Sequence, residues 1–354
     1  TVNGTAIEDK CCTCDTDTSN NCTQDCTGVW GGSSVVDACN VCGGDGTLCQ
    51  DCAGTVNGTA TADNCGVCDS DSANDCSQDC DGVWGGSAVL DNCGICGGDG
   101  SSCETIDCTD STSDYCLDLS VLQEFIDNSQ GGENPPPSDL NPLNLGVQTW
   151  TNGRLESLCV SEECNITYKL SGNIPATIGS LTNLVTLNLM NNNLTGQIPA
   201  GIGNLTKLTR LLLDSNELTG EIPSGIGSLV NLTELSLNNN QLSGGIPVEI
   251  GYLTKLTGLY LHDNQLSGEI PTEIHILVNL IELGLYNNQL TGEIPSEIGN
   301  LTNLTWLHLK NNPLGGYIPS EIGNLTNLTT LELSRCELTG GIPSVIGSLT
   351  NLTG

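Results

Sequence analysis

Leucines and isoleucines recur at fixed places in a 24-residue unit that runs seven times from Leu184 to Asn351 with no insertion or deletion. The first copy reads LVTLNLMNNNLTGQIPAGIGNLTK (Leu184–Lys207), and the others begin at Leu208, Leu232, Leu256, Leu280, Leu304 and Leu328. Apolar residues at positions 1, 4 and 6, such as Leu256, Leu259 and Leu261, predict a short strand that turns them into the coil. Position 9 is Asn in six copies (Asn192, Asn216, Asn240, Asn264, Asn288, Asn312) and Cys336 in the seventh. A buried amide at every turn can bond the backbone groups that the bend leaves unpaired. Gly196 and its equivalents free the backbone, and the Ile-Pro that follows starts an extended return. Burying about seven apolar side chains per copy contributes ~10–20 kcal/mol. Ordering the copy costs more, at roughly 1–2 kcal/mol per backbone residue. The period therefore predicts a stacked solenoid whose copies are stable only together.

The L-x-x-L-x-L-x-x-N-x-L pattern and segments such as LTGEIPSEIGNL (Leu290–Leu301) closely resemble the plant-type leucine-rich repeats. The resemblance implies a right-handed solenoid with a parallel β-sheet on the concave face and a 3-10 or irregular convex side. It also implies an extracellular recognition or adhesion surface rather than a catalyst. Upstream, SDYCLDLSVLQEFIDNSQGG (Ser113–Gly132) predicts an amphipathic helix. Leu119, Leu122, Phe125 and Ile126 share a face, Ser113 or Asp114 can cap the start, and Gly131 the end. A Pro135–Pro137 spacer and TWTNGRLESLCV (Thr149–Val160) follow. That order resembles the helical N-terminal cap of plant-type repeat domains, with a different cysteine placement.

Residues 1–108 carry a second repeat, of period 54, in which Thr1–Cys14 returns as Thr55–Cys68 and Cys22–Cys49 as Cys76–Cys103. The expected organisation is thus 1–108 cysteine-rich modules, 109–157 cap, and 158–354 repeats with an irregular first copy. Of 21 cysteines, twenty group into disulfide sets. One quartet is Cys26, Cys39, Cys42 and Cys49, a second is Cys52, Cys65, Cys68 and Cys76, and a third is Cys80, Cys93, Cys96 and Cys103. A further set, Cys11, Cys14 and Cys22, lacks its leading cysteine, so that either Cys12 completes it or the natural chain extends further upstream, and Cys108–Cys116 and Cys159–Cys164 form pairs. Cys336 is left as a buried free thiol. Three connectivities are open within each quartet. Paired C-x-x-C motifs also admit a four-thiolate zinc site, although so many cysteines point to an oxidising compartment, where disulfides prevail. CGICGGDGSSC (Cys93–Cys103) resembles a segment of secreted metalloproteases with thrombospondin motifs, and tandem modules of secreted microbial and algal proteins. No H-E-x-x-H motif accompanies it, so the resemblance implies a disulfide scaffold only. Asp69, Asp71 and Asp75 are candidate calcium ligands or else a solvated turn, and no cofactor is otherwise expected.

A formal charge of −34 disfavours nucleic acid and anionic membranes as partners, and no apolar run is long enough to span a bilayer. No Ser or Cys nucleophile has a base beside it, and no phosphate-binding loop follows a strand, so an enzyme is not expected. His262 and His308 sit two repeats apart, where a shared zinc would require both to lean inward. The outward strand positions collect Arg210, Leu212, Tyr260, His262, Tyr286, Trp306, His308, Lys310 and Arg335, the residue types from which binding patches are built. Twelve N-x-[ST] sequons are expected to carry N-glycans in a secreted eukaryotic protein: Asn3, Asn21, Asn57, Asn165, Asn193, Asn204, Asn231, Asn300, Asn303, Asn324, Asn327 and Asn351. The sequence ends inside a repeat at one boundary and opens inside a cysteine module at the other, which suggests that further protein packs there. The expected function is a secreted structural glycoprotein of an extracellular assembly (surface layer, matrix or fibre), partnered by copies of itself or neighbouring proteins. The alternative is an extracellular or cell-surface ectodomain that binds a protein, peptide or glycan on the concave face.

Overall fold

The computed structural model describes residues 113–353 without interruption and, ahead of them, shorter stretches, chiefly 24–29, 32–37, 39–45 and 50–62. The chain divides into two compact units, Thr1–Val89 and Leu90–Gly354.

In the first unit an aspartate organises each turn. Asp25 Oδ1 accepts from the backbone N–H of Thr27 (2.9 Å) and Val29 (3.0 Å), and its Oδ2 from Ser34 (3.2 Å). Asp51 repeats the arrangement with Ala53 (3.0 Å), Thr55 (2.8 Å) and Ala60 (3.2 Å). Asp37 and Asp79 hold the equivalent donors of Val41 and Val83, each at 2.8 Å. The residue at the tip of the turn is left-handed, namely Gly28 (φ 86°), Asn40 (φ 60°) and Gly54 (φ 79°). Gly32, Gly44 and Gly58 pass so close that a Cβ at any of them would collide with the carboxylate of Asp25, Asp37 or Asp51. Hydrogen bonds, the Thr27 hydroxyl's foremost, hold the Asp25 carboxyl at about 2.

Disulfides Cys26–Cys42 and Cys52–Cys68 each join the first and third cysteine of a quartet, with Cα–Cα separations of 5.4 and 5.7 Å. Cys39 is also disulfide-bonded. The other two cysteines of the second quartet, Cys65 and Cys76, lie outside the described residues. So do Cys49, the third quartet of Cys80, Cys93, Cys96 and Cys103, and Cys11, Cys12 and Cys22 of the opening set. Of the candidate calcium ligands, Asp71, Asp75 and the side chain of Asp69 lie outside them as well. Among the described residues no three potential metal ligands cluster.

The second unit contains helix α1, Asp114–Ser129. Ser113 caps its start by accepting from the Cys116 N–H, and the helix closes at Gln130 in a right-handed conformation, not at Gly131. Val121, Leu122, Phe125 and Ile126 are fully buried, whereas Leu119 packs only at the rim of this core. Asp118 is fully buried on the same face. It accepts from Arg154 Nε (2.9 Å), Arg154 Nη2 (3.0 Å) and the Leu155 N–H (2.8 Å). Arg154 Nη2 also donates to the Ser180 carbonyl (2.9 Å), and Nη1 pairs with Asp114 at 2.9 Å. One guanidinium thereby ties the helix to the first solenoid turns. Disulfides Cys108–Cys116 and Cys159–Cys164 lie in the same region.

The solenoid follows. A nine-stranded sheet starts with the antiparallel pair Val147–Thr151 and Arg154–Cys159. It continues in parallel, in register, through Thr186–Asn188, Arg210–Leu212, Glu234–Ser236, Gly258–Tyr260, Glu282–Gly284, Trp306–His308 and Thr330–Glu332. Each copy has a five-residue 3-10 turn set by its Ile-Pro, as in Ser296–Asn300 after Pro295. A second, six-stranded parallel sheet runs along the return segments from Ser171–Asn173 to Gln289–Thr291, a regularity that the expected irregular side did not include. The leucines of positions 1, 4 and 6 are fully buried from Leu184 to Leu309.

The position-9 amides form the ladder. Asn240 Nδ2 donates to the carbonyls of Leu213 (3.0 Å), Leu237 (3.1 Å) and Asn238 (3.2 Å), while its Oδ1 accepts the Leu218 N–H at 2.9 Å. The residue before each amide is left-handed, φ 53–56° from Asn191 to Arg335, and Asn or Asp fills five of those seven sites because it adopts that conformation most readily. Cys336 breaks the ladder. Its Sγ reaches the Leu309 carbonyl at 3.4 Å but does not take the Leu314 N–H, which turns back to the Asn312 carbonyl at 2.8 Å. The thiol is half-buried instead of buried, as are Leu331, Leu333 and Leu338 of the same copy, whose equivalents in earlier copies are fully buried.

Two changes test these contacts. Cys336→Asn restores one acceptor and the amide donors, and is expected to raise stability by ~1 kcal/mol in urea unfolding; a lower midpoint would show that the ladder does not extend to this copy. Arg154→Ala leaves the Asp118 carboxylate buried and unpaired, at an expected cost of about 3–5 kcal/mol in the same measurement.

Candidate functional site

In-register pairing turns each outward strand position into a column across the sheet. One column runs Leu212, Ser236, Tyr260, Gly284, His308 and Glu332, and another Arg210, Glu234, Gly258, Glu282, Trp306 and Thr330. Five aromatic or imidazole rings meet where these columns lie over Gly258 and Gly284. His262 stacks on Tyr286 with centroids 4.2 Å apart, and Trp306 lies on His308 at 3.7 Å. Tyr286 approaches His308 at 5.9 Å and Trp306 at 6.4 Å, while Tyr260 meets His262 edge-on at 6.4 Å. Both glycines are required by this packing. A Cβ on Gly284 would stand 2.9 Å from His262 Nδ1 and from the Trp306 ring, and one on Gly258 would stand 2.9 Å from the Tyr260 ring.

The polar atoms show what the cluster can do. Tyr286 contacts both imidazoles, and no third potential metal ligand clusters with them among the described residues. His262 Nδ1 and His308 Nε2 are buried without a hydrogen-bond partner among the described residues. Burial pushes both imidazoles below the usual histidine range, which keeps them neutral near pH 7. Tyr260 donates its hydroxyl to Glu282 Oε2 at 2.7 Å, and burial together with that bond pushes its own ionisation up. The result is a neutral, rigid ring surface with acids at its margin.

Not every candidate residue joins it. Tyr260, His262, Tyr286, Trp306 and His308 come together. Leu212 is only 5% exposed. Arg210 lies beyond Tyr260 and is bonded to Glu234 Oε2 at 2.8 Å. Lys310 and Arg335 are exposed further along the sheet. Glu234, Glu282, Gly258 and Gly284 belong to the site and were not among the candidates; small residues at two outward positions beside aromatic ones were the available signal. Two cavities of about 290 Å³ each open on the Arg210 side of the rings, sharing Arg210, Glu234 and Tyr260. A larger groove of about 650 Å³ runs along the sheet's edge by Lys255, Asn303 and Asn327. Its amides and hydroxyls are already bonded to backbone carbonyls, as Asn303 Nδ2 to Val278 (2.8 Å) and Thr305 Oγ1 to Ile281 (3.2 Å).

Residues 165–269 match the family described as leucine-rich repeat region, and residues 279–301, 303–325 and 327–349 each match a leucine rich repeat. No curated protein matches the chain. Among solved structures, it is similar to the ectodomain of the receptor kinase GASSHO1/SCHENGEN3 from Arabidopsis thaliana, crystallised with CASPARIAN STRIP INTEGRITY FACTOR 2. That likeness has 38% identity and a TM-score of 0.60, covering 67% of this chain and 28% of that one. A TDR receptor matches at 41% identity and TM-score 0.51, over 52% of this chain and 32% of its own. A plant ice-binding protein matches at 29% identity and TM-score 0.53, over 64% of this chain and 71% of its own. The chain thus spans less than a third of the two receptor structures. From residue 165 to residue 349 it carries leucine-rich repeats, built as a solenoid similar to plant receptor ectodomains.

Proposed function

We propose that this chain is an extracellular or cell-surface recognition module that binds a protein or peptide partner on the outward face of its long sheet. The observation that carries the reading is the five-ring cluster over Gly258 and Gly284: a rigid aromatic surface, desolvated at its base, of the kind that anchors interfaces. The likeness to receptor ectodomains supports the same use of the fold, and the disulfides support an oxidising compartment. The recognition role is preferred to a purely structural role in an assembly because the latter gives no reason for rings and glycines to converge on one stretch of sheet.

Glycosylation follows from the same compartment. Asn204, Asn300 and Asn324 are exposed, and their side-chain amides bond nothing among the described residues. By contrast, the amides of Asn231, Asn303, Asn327 and Asn351 donate to backbone carbonyls of the preceding copy. Glycans are therefore expected first on the former three, and peptide mass spectrometry of secreted protein that finds all three bare would remove the proposal. For recognition, peptides selected by display on the folded chain are expected to lose more than ~1 kcal/mol of affinity with Trp306→Ala. Selected ligands whose affinity ignores that substitution would place the binding surface elsewhere.

A further inference from the structure

The two cavities beside the ring cluster have a charge of their own. Their walls carry four carboxylates, Glu163, Asp214, Glu234 and Glu282, against the single guanidinium of Arg210. Asp214 is only 8% exposed, faces one cavity, and makes no ion pair among the described residues. Its carboxylate accepts from its own backbone N–H and from the hydroxyls of Ser236 and Ser215, the last at a long 3.4 Å. Neutral donors offset only part of the cost of desolvating a carboxylate, and an incoming cation offsets more of it. Burial outweighs those hydrogen bonds and, with Glu163 adding to it, pushes the Asp214 carboxyl up. In the second cavity Gly258 leaves a gap in its column between Glu234 and Glu282, its neighbours on the flanking strands. The Tyr260 ring lies over that gap and lines both cavities, offering a face to a cation. Arg210 shows the mode in miniature, since its guanidinium, about half exposed, is already bonded to Glu234.

We propose that the groove from Asp214 to Glu282 takes an extended basic segment of a partner protein, with one Lys or Arg side chain against the Tyr260 ring between Glu234 and Glu282 and a second at Asp214. The proposal rests on the recognition reading above and assigns its ligand a chemical class. Strands in register set the two cationic subsites along a backbone that lies across the sheet. The net charge of −34 adds long-range attraction for such a segment but cannot choose where it docks.

The test separates local from global charge. Short synthetic peptides alternating lysine with alanine, and matched peptides alternating glutamine with alanine, are titrated by calorimetry against the whole chain. The same titrations are made with Asp214→Asn, Glu282→Gln, and the control pair Glu221→Gln with Glu269→Gln, exposed acids on the return segments away from the groove. The lysine peptide is expected to bind tighter than the glutamine peptide, and either groove variant to weaken it about fivefold. The control pair, which removes more charge, is expected to change it less than twofold. Equal binding of the two peptides overturns the proposal, as does equal weakening by groove and control variants, which signals diffuse attraction only. Glu282→Gln sits at a half-buried site, so it reports even where Asp214→Asn disturbs the fold. If display instead yields neutral ligands that still depend on Trp306, the basic-segment proposal fails while the recognition reading stands.

Discussion

A chain that bends every 24 residues must satisfy the backbone groups each bend exposes, and the buried asparagine does this with one side chain. Its amide holds a carbonyl in its own copy and another in the copy before, and its oxygen holds the N–H that opens the return strand. The leucine stack supplies the larger energy, while the amide and the backbone bonds of the two sheets fix the spacing between copies, because they bond across the gap. Where Cys336 takes its place the hydrogen bond to Leu314 is lost, and the return segment, which opens on Pro313 with no N–H to donate, keeps an isolated bridge instead of a strand. The dependence runs from ladder to register, from register to columns, and from columns to the ring cluster.

Much of the solenoid was legible in the sequence because a strict period leaves few alternatives. Strand positions, buried leucines, amide ladder and the amphipathic helix all follow from spacing, and Ser113 was one of two candidates for the start of that helix. The second sheet was not legible, since its strands arise from the stacking of polar return segments such as Gln289–Thr291, which carry no alternation of their own. Nor was the Asp118–Arg154 clamp, because a carboxylate on an apolar helix face gives no hint of a partner so far along the chain. In the first unit Asp25, Asp37, Asp51 and Asp79 drew no reading in the sequence; their fixed distance to a later glycine was present but had meaning only once the turn was seen.

The face of the sheet was half legible. Outward positions can be counted, and five of the nine candidate residues converge. Which of them touch depends on glycines at two neighbouring positions, and a glycine reads in a sequence as an omission. The basic residues, suggestive as a list, are dispersed in space and partly neutralised, so the unsatisfied charge of the face is negative.

The aspartate turns of the first unit differ from the solenoid in their thermodynamics. Val29, Val35, Val36 and Val83 stand half open or more, and the bonds that hold these turns join a carboxylate to backbone amides. Unfolding such turns exposes little new apolar surface, so the accompanying heat-capacity change is small and their stability varies gently with temperature. The leucine stack next in sequence has a strongly curved dependence, with a maximum and losses on both sides of it. One polypeptide thus joins two materials, one whose stability changes little as the temperature moves and one whose stability peaks and falls away on either side.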